Sequence, residues 1–455
     1  MKNWQTAGET KFGGKLAREI WVFLACPHNM RILLITNLIY SFAMPVIYMF
    51  ISTYVLRNTK SVSMVLVYQL ASYTGIPFTF LINGWLLKRF QIRRLYALGM
   101  LLSGVSMTIM MLLPTLTVIG LVVAGLVMGM SFGLYWSNRD FLALSTTNNE
   151  NRNYYYGLEA FFSIVIGMLV PVSVGWFLEA SAHWSSSENY GYHIVTAGVF
   201  IVALVASVVV HTGKFANPPL TRFIYFSFNR IWNRFLVMAV LKGLAQGYII
   251  TAPAMLVTRF VGKEGALGTA QSVGVLFSAI LIYYIGRTAR PVHRVLIFSL
   301  ALTLFALGGV FNAIMFDATG VYIFMLCLVL AIPLLDFAYF PIQLQVIDTV
   351  SAIENRNQFA YLFNHEFGLY LGRFAGCGLF LVLAFQMSDV VALRYSLLII
   401  GILQLLSVIV AKNVTRACAQ VEASPQPGSN HTEPLVTDIN PEGIASSDSI
   451  TITAK

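Results

Sequence analysis

Charge is what this sequence has little of. Charged residues fill 11% of its 455 positions, against 57% hydrophobic and 13% aromatic, and the mean hydropathy is +0.74. A soluble domain carries about 25% charged residues, so the composition excludes an ordinary soluble protein and implies a bilayer as solvent. Cysteine is scarce as well. Cys26, Cys327, Cys377 and Cys418 are scattered without a CxxC pair, which excludes a disulfide framework and a zinc site. No Walker lysine motif occurs, so ATP-driven transport is not expected. No nucleophile–base arrangement or metal-ligand cluster stands out in the loops, so neither an enzyme nor a metal or other cofactor is expected. The stretch Met1 to Lys15 is polar, with no small-residue cleavage site behind a short apolar core, and a signal peptide is not expected.

Net charge is +10. In a soluble protein this would suggest a nucleic-acid partner, but here the basic residues fall between apolar runs. Topology explains them, and no nucleic acid is expected.

Twelve runs are long enough to cross a bilayer, at about 20 residues each. They lie near 31–56, 62–87, 95–113, 116–140, 155–178, 193–211, 234–258, 266–286, 294–315, 320–345, 360–386 and 390–411. Lys88, Arg89, Arg93 and Arg94 share one loop, Lys214, Arg222, Arg230 and Arg234 the middle one, and Arg287, Arg290 and Arg294 a third. The opposite loops hold only Arg57, Lys60, Arg259, Lys263 and Arg394. This bias puts both ends in the cytoplasm and the lipid partner in the cytoplasmic (inner) membrane. Residues 1–30 read as a cytoplasmic N-terminus. Its Gly13 to Cys26 stretch suits an interfacial helix, or else a simple extension of the first span. Bundles at 31–211 and 234–411 flank a basic, aromatic linker, 212–233, expected along the membrane surface. The cytoplasmic tail, 412–455, turns rich in Ser, Pro, Thr and Gly from Val421 and is expected to be disordered.

The two bundles repeat each other. Glu150-Asn151-Arg152-Asn153 recurs as Glu354-Asn355-Arg356-Asn357, 204 residues later. At the same offset Tyr135-Trp136 faces Tyr339-Phe340, Tyr155 faces Phe359, and Thr147 faces Ser351. Thr147-x-x-Glu150 and Ser351-x-x-Glu354 read as capping boxes opening matched helices. A duplicated membrane protein follows.

Twelve spans in a six-plus-six duplication with a long central loop resemble the major facilitator superfamily. Gly84-Trp-Leu-Leu-Lys88-Arg89-Phe-Gln-Ile-Arg93-Arg94 is similar to that family's loop between spans two and three, with Lys88 where the family has Asp and Gln91 where it has Gly. Glu150 with Arg152, and Glu354 with Arg356, are similar to its element after span four. Span five carries Gly167, Pro171 and Gly175, partly like its antiporter motif. The resemblance implies an all-α membrane fold of two pseudo-symmetric six-helix bundles and alternating access. It also implies a cytoplasmic gate among Arg89, Glu150, Arg152, Glu354 and Arg356.

Ionisable residues inside a span are functional candidates, because a lone charge in hydrocarbon is expensive. Asp336 lies near mid-depth of span ten and suits a reversible proton carrier, or is satisfied by a neighbouring helix. Glu366 and Arg373, two turns apart on one face of span eleven, are a structural pair or a pair that changes partners; His365 points elsewhere. Lys242 shares a face with Gln246 and either binds a polar solute or snorkels to the interface. Tyr135, Trp136 and Arg139 end span four, where Arg139-Asp140 also fits a solvated helix end. Glu159, Asn37 and Tyr40 are weaker cavity candidates. Together these make Asn37, Tyr40, Tyr135, Trp136, Arg139, Lys242, Gln246, Tyr339 and Arg373 the expected solute contacts, with Asp336, Glu366 and Glu159 for protons. The expected function is proton-coupled secondary transport, symport or antiport, of a small anionic or zwitterionic solute by a monomer. Two alternatives stand beside it. One is export of a hydrophobic or metal-chelating compound, or of a divalent ion held by Asp336, His365 and Glu366. The other is a receptor or scaffold on a transporter fold.

Overall fold

The computed structural model describes residues 20–147, 151–182, 184, 189–217, 225–288, 291–356 and 358–423. Among them stand twelve helices long and apolar enough to cross a bilayer, and no strand. They are α1 (His28–Thr59), α2 (Val62–Leu86), α3 (Ile92–Leu112), α4 (Val118–Thr146), α5 (Arg152–Ser181) and α6 (Tyr190–His211) in the first half. The second half has α7 (Arg230–Phe260), α8 (Glu264–Thr288), α9 (Arg294–Met315), α10 (Ala318–Glu354), α11 (Gln358–Gln386) and α12 (Asp389–Ala423). The fold is the expected all-α membrane bundle.

Several expectations need correction at the helix ends. Thr147 and Ser351 open no helices. Thr147 is the C-cap of α4, its hydroxyl donating to Ala143 O at 2.7 Å, and Ser351 sits in the last turn of α10. Asn355, in a left-handed conformation at φ 47°, ends α10. The α10 helix has 37 residues, about 55 Å at 1.5 Å per residue, so it projects well beyond a hydrocarbon layer of about 30 Å. Disorder from residue 412 is likewise wrong as far as Ala423. Helix α12 continues because Ala411, Val414 and Cys418 bury one face against Trp232, Val346 and Val350. Residues 424–455 lie outside the described part, as do 1–19. Residues 20–25 are helical, with Ile20, Trp21 and Leu24 exposed.

The first helix of each half is interrupted at matching depth. In α1 a π-helical turn, Val46–Phe50, follows Pro45; in α7 the helix breaks at Ile250 and Thr251, just before Pro253. Extra or broken turns of this kind expose backbone and re-aim side chains, and they gather at functional sites.

The core is continuous at one end of the bundle and divided at the other. One apolar cluster runs from Tyr54 and Val62 of the first half into Met255, Leu267 and Leu393 of the second. A separate cluster around Trp232, Tyr339 and Val350 belongs to the second half alone. The cross-half ion pairs fall at the continuous end: Arg57 pairs with Glu264 at 2.9 Å and Lys263 with Glu179 at 3.8 Å, and there Asp389 also accepts from Ser63 Oγ at 2.7 Å. This is the closed end. At the opposite end, where α1 begins and α12 finishes, the linker is tied to both halves. Asn217 bonds Leu87 O, Phe90 O and Ile92 N, and Arg356 donates to Ser227 O at 2.6 Å. Residues 218–224 lie outside the described part.

Within the first half, α4 approaches α2 through Gly125, Gly129 and Gly133. A Cβ at Gly129 would stand 2.7 Å from Gly75 Cα, so the backbones touch where a side chain would intervene. Gly198 of α6 faces open space. Gly129→Ala should therefore lower thermal stability in detergent, by about 1–3 kcal/mol as overpacking does, whereas Gly198→Ala should leave it unchanged or raised. Equal melting of the two variants would refute this packing.

Candidate functional site

Between the halves lies a cavity of about 490 Å3. It runs from Gln69, Ile250 and Arg373 near the middle of the bundle to Phe141, Leu344 and Leu362 near the open end. Helices α1, α2 and α4 supply one wall and α7, α10 and α11 the other.

The second-half wall holds most of the charge. Lys242 is buried rather than snorkelling. Its Nζ is 2.9 Å from Asp336 Oδ1 and lies over the rings of Tyr339, at 3.9 Å, and Phe340, at 4.4 Å. Attraction to the ring faces adds to the ion pair in holding the ammonium. Asp336 is thus a partner to Lys242 rather than a lone carboxylate. Arg373 donates from Nε to Gln246 Oε1 at 3.0 Å, while its Nη1 is 3.7 Å from Glu366 Oε2. Its guanidinium also lies 5.2 Å from the centre of the Tyr73 ring, and Tyr73 donates to Gln246 O at 2.7 Å, tying the halves across the cavity floor. His365 Nε2 and Tyr339 OH lie 2.7 Å apart, joined by a hydrogen bond.

The first half carries its own charged cluster around a smaller cavity of about 200 Å3. Arg139 grips Glu159 with two bonds, Nε to Oε1 at 3.1 Å and Nη2 to Oε2 at 2.6 Å, the bidentate form that fits a planar guanidinium. Its remaining Nη1 reaches Asp140 at 3.1 Å, and its guanidinium lies over Trp136. Asn37 donates to Glu159 Oε1 at 2.8 Å and to Tyr155 OH at 3.0 Å, and accepts from Tyr96 OH. Trp136 and Tyr48 line both cavities and form the partition between them.

The expected solute contacts therefore divide. Trp136, Lys242, Gln246 and Arg373 line the large cavity, with Glu366 beside them; Asn37, Tyr135, Arg139 and Glu159 line the small one. Tyr40 and Tyr339 line neither and are fully buried core. Asp336, His365 and Glu366 do not form one metal set, since Asp336 is taken by Lys242 and His365 by Tyr339. Among the described residues no three His, Cys, Asp or Glu side chains gather around one ion position. Among the described residues of the expected gate, no contact joins the two halves. Arg89, in the turn after α2, lies over Trp85 of that helix, and Glu354 pairs with Arg356 at 3.2 Å within the second half. Glu150 and the Arg152 side chain lie outside the described part. Sequence reasoning passed over Tyr48, Gln69, Tyr73 and Gln343 as cavity residues; the two glutamines inside apolar spans were the available signal.

A sequence profile of the Major Facilitator Superfamily matches residues 32–377. The chain belongs to that family. It is a membrane transporter rather than an enzyme. It is 23% identical over 378 residues to an uncharacterized protein of Bacillus subtilis (strain 168), YqgE, covering 80% of this chain and 84% of that one. Its fold is shared with a structure bearing on substrate recognition in proton dependent oligopeptide transporters, at TM-score 0.63 and 14% identity over 86% of this chain and 99% of that one. It is shared too with a bacterial homologue of the iron transporter ferroportin in an inward-facing state, at TM-score 0.62 and 14% identity over 87% and 99%. The nucleoside transporter NupG gives TM-score 0.57 and 11% identity over 88% and 100%.

The Lys242–Asp336 pair in this transporter is lopsided, with side chains 7% and 43% exposed. Asp336→Asn strands a buried ammonium and should cost about 3 kcal/mol, the lower part of the range for breaking a buried pair. Lys242→Met strands only a carboxylate that water can reach, and should cost clearly less. Thermal unfolding of the two variants in the same detergent checks the order, and a reversed order would refute it.

Proposed function

We propose that this transporter carries a small organic solute bearing a carboxylate, by alternating access and coupled to protons, from a membrane in which both termini face the cytoplasm. The cavity volume lies in the range of small-molecule sites. Arg373 is the observation that carries the reading. Gln246 fixes its Nε, but the 3.7 Å gap between Nη1 and Glu366 Oε2 exceeds a hydrogen bond. The guanidinium is thus held in place with donors still to spare towards the cavity. A solute carboxylate would form the closer pair with Arg373, with Lys242 adding to the positive field.

Glu366 then loses its cation, and a proton is the simplest replacement for a carboxylate within the membrane. Of the three carboxylates expected to carry protons, Asp336 is held by Lys242 and Glu159 by both arms of Arg139. Glu366 has the loosest attachment and is the proposed carrier. Alternation would part the Arg57–Glu264 and Ser63–Asp389 contacts and bring the open end together.

The test is transport by reconstituted protein, using labelled amino acids, short peptides and dicarboxylates as the panel. Wild-type protein should accumulate at least one of them under a pH gradient. Glu366→Gln should still exchange that solute at equal pH on both sides but no longer accumulate it. Undiminished accumulation by Glu366→Gln would remove Glu366 from the coupling role, and failure of every carboxylate to move would remove the solute class.

A further inference from the structure

One buried acceptor in the large cavity has no donor. Gln343 of α10 is 5% exposed and lines the cavity, and its Oε1 has no hydrogen-bond partner. A buried amide oxygen left unpaired is costly, so such an atom in a cavity wall marks a place where a ligand donor belongs. The opposite wall supplies a second acceptor. Asp140 of α4 lines the same cavity, its side chain 62% exposed and its Oδ1 held by Arg139 Nη1 at 3.1 Å. Asp140 faces Arg139, Glu159 and Glu366, and Glu366 faces His365, Arg373 and Lys242.

Asp140 and Glu366 belong to opposite halves. Closing the open end narrows the space between two carboxylates, and like charges repel more strongly as water leaves. We infer that the solute carries a protonated amine as well as a carboxylate, with Asp140 and Gln343 Oε1 receiving the amine while Lys242 and Arg373 receive the carboxylate. This rests on the transport reading above and narrows its solute to a zwitterion. An ammonium offers three donors and one positive charge, which suits a carboxylate beside an unpaired amide oxygen. A neutral hydroxyl would satisfy Gln343 but leave the repulsion across the seam. A plain anion would add a third negative charge to it. The amine spans α4 of one half and α10 of the other, so a bound solute favours the closed arrangement by differential affinity, as any ligand must to shift a conformation. A proton on Glu366 and an amine on Asp140 together neutralise the seam.

The test uses the purified full chain and a panel of amino acids and short peptides, each offered as the zwitterion, as its N-acetylated form and as its methyl ester. Thermal stabilisation finds the binders and competition measures their affinity. The zwitterion should bind at least about tenfold more tightly than its N-acetylated form, since a site built to meet a donor rejects the analogue lacking it. Asp140→Asn and Gln343→Leu should each erase that preference by weakening the two forms that keep the amine, whereas Arg373→Gln should weaken both forms that keep a carboxylate. Equal binding of the zwitterion and the N-acetylated form, or an unchanged preference in both Asp140→Asn and Gln343→Leu, would overturn the amine and leave the carboxylate reading standing. Equal binding of zwitterion and methyl ester would instead overturn the carboxylate reading. No binding by any form would overturn both.

Discussion

A charge in hydrocarbon must find its opposite, and in this protein that requirement is met within each half rather than between halves. Arg139 of α4 is matched by Glu159 of α5, Lys242 of α7 by Asp336 of α10, and Arg373 by Glu366 on α11 itself. Each six-helix bundle is therefore nearly self-sufficient in its buried electrostatics. The ion pairs that do join the halves, Arg57 with Glu264 and Lys263 with Glu179, sit at the closed end among helix termini. Parting the halves there exposes groups close to water, where separation is inexpensive. Had Lys242 been neutralised across the seam, any relative motion would have stranded an ammonium, at several kcal/mol. Local pairing would let two charged bundles move as bodies, as the proposed alternation requires.

The same constraint explains what could be read from the chain. Hydropathy gave all twelve spans, because a helix in lipid must be apolar around much of its surface. It failed at the ends, where helices outrun the bilayer. In α12 the buried positions 411, 414 and 418 have helical spacing, but they are small or lie among Lys412, Asn413 and Arg416, so hydropathy does not register them. The supposed capping boxes failed for a different reason. Hydroxyl residues close helices as readily as they open them, since the side chain can return to a carbonyl one turn back, as Thr147 does to Ala143. At the site, the rule that ionisable residues in spans are functional found Lys242, Glu366, Arg373, Arg139 and Glu159. Which cation met which carboxylate depends on packing between distant helices and was not legible. Neutral residues such as Gln343 cost less to bury, so their presence in a span is a weaker signal.

The repeat shows which features were duplicated and which diverged. Tyr135 and Tyr339 are both buried core, and Trp136 and Phe340 both line the large cavity with a cation over the ring. The interruptions of α1 and α7 also fall at matching places. Backbone plan and aromatic frame are thus shared by the two halves. The polar residues are not: Arg139 is matched by Gln343, and Asp140 by Leu344. A symmetric scaffold encloses an asymmetric cavity, with Lys242 and Arg373 on one wall and Asp140 on the other.

The proposed alternation needs a crossing about which the halves can turn, and the contact of α5 with α8 fits that need. A Cβ at Gly175 would stand 2.6 Å from Glu264 O, and one at Gly268 would come closer still to Pro171 O. Backbone lies on backbone there, pinned by single bonds from Val172 N to Ser272 Oγ at 3.1 Å and from Trp176 Nε1 to Thr269 Oγ1 at 3.1 Å. Large side chains that interdigitate resist rotation, because every knob must leave its hole. Small residues in van der Waals contact offer a smooth surface, held by proximity and a few hydrogen bonds. In the proposed alternation the α5–α8 crossing would serve as the axle, with the Arg57–Glu264 clasp at one end of the bundle and the charged cavity opening at the other.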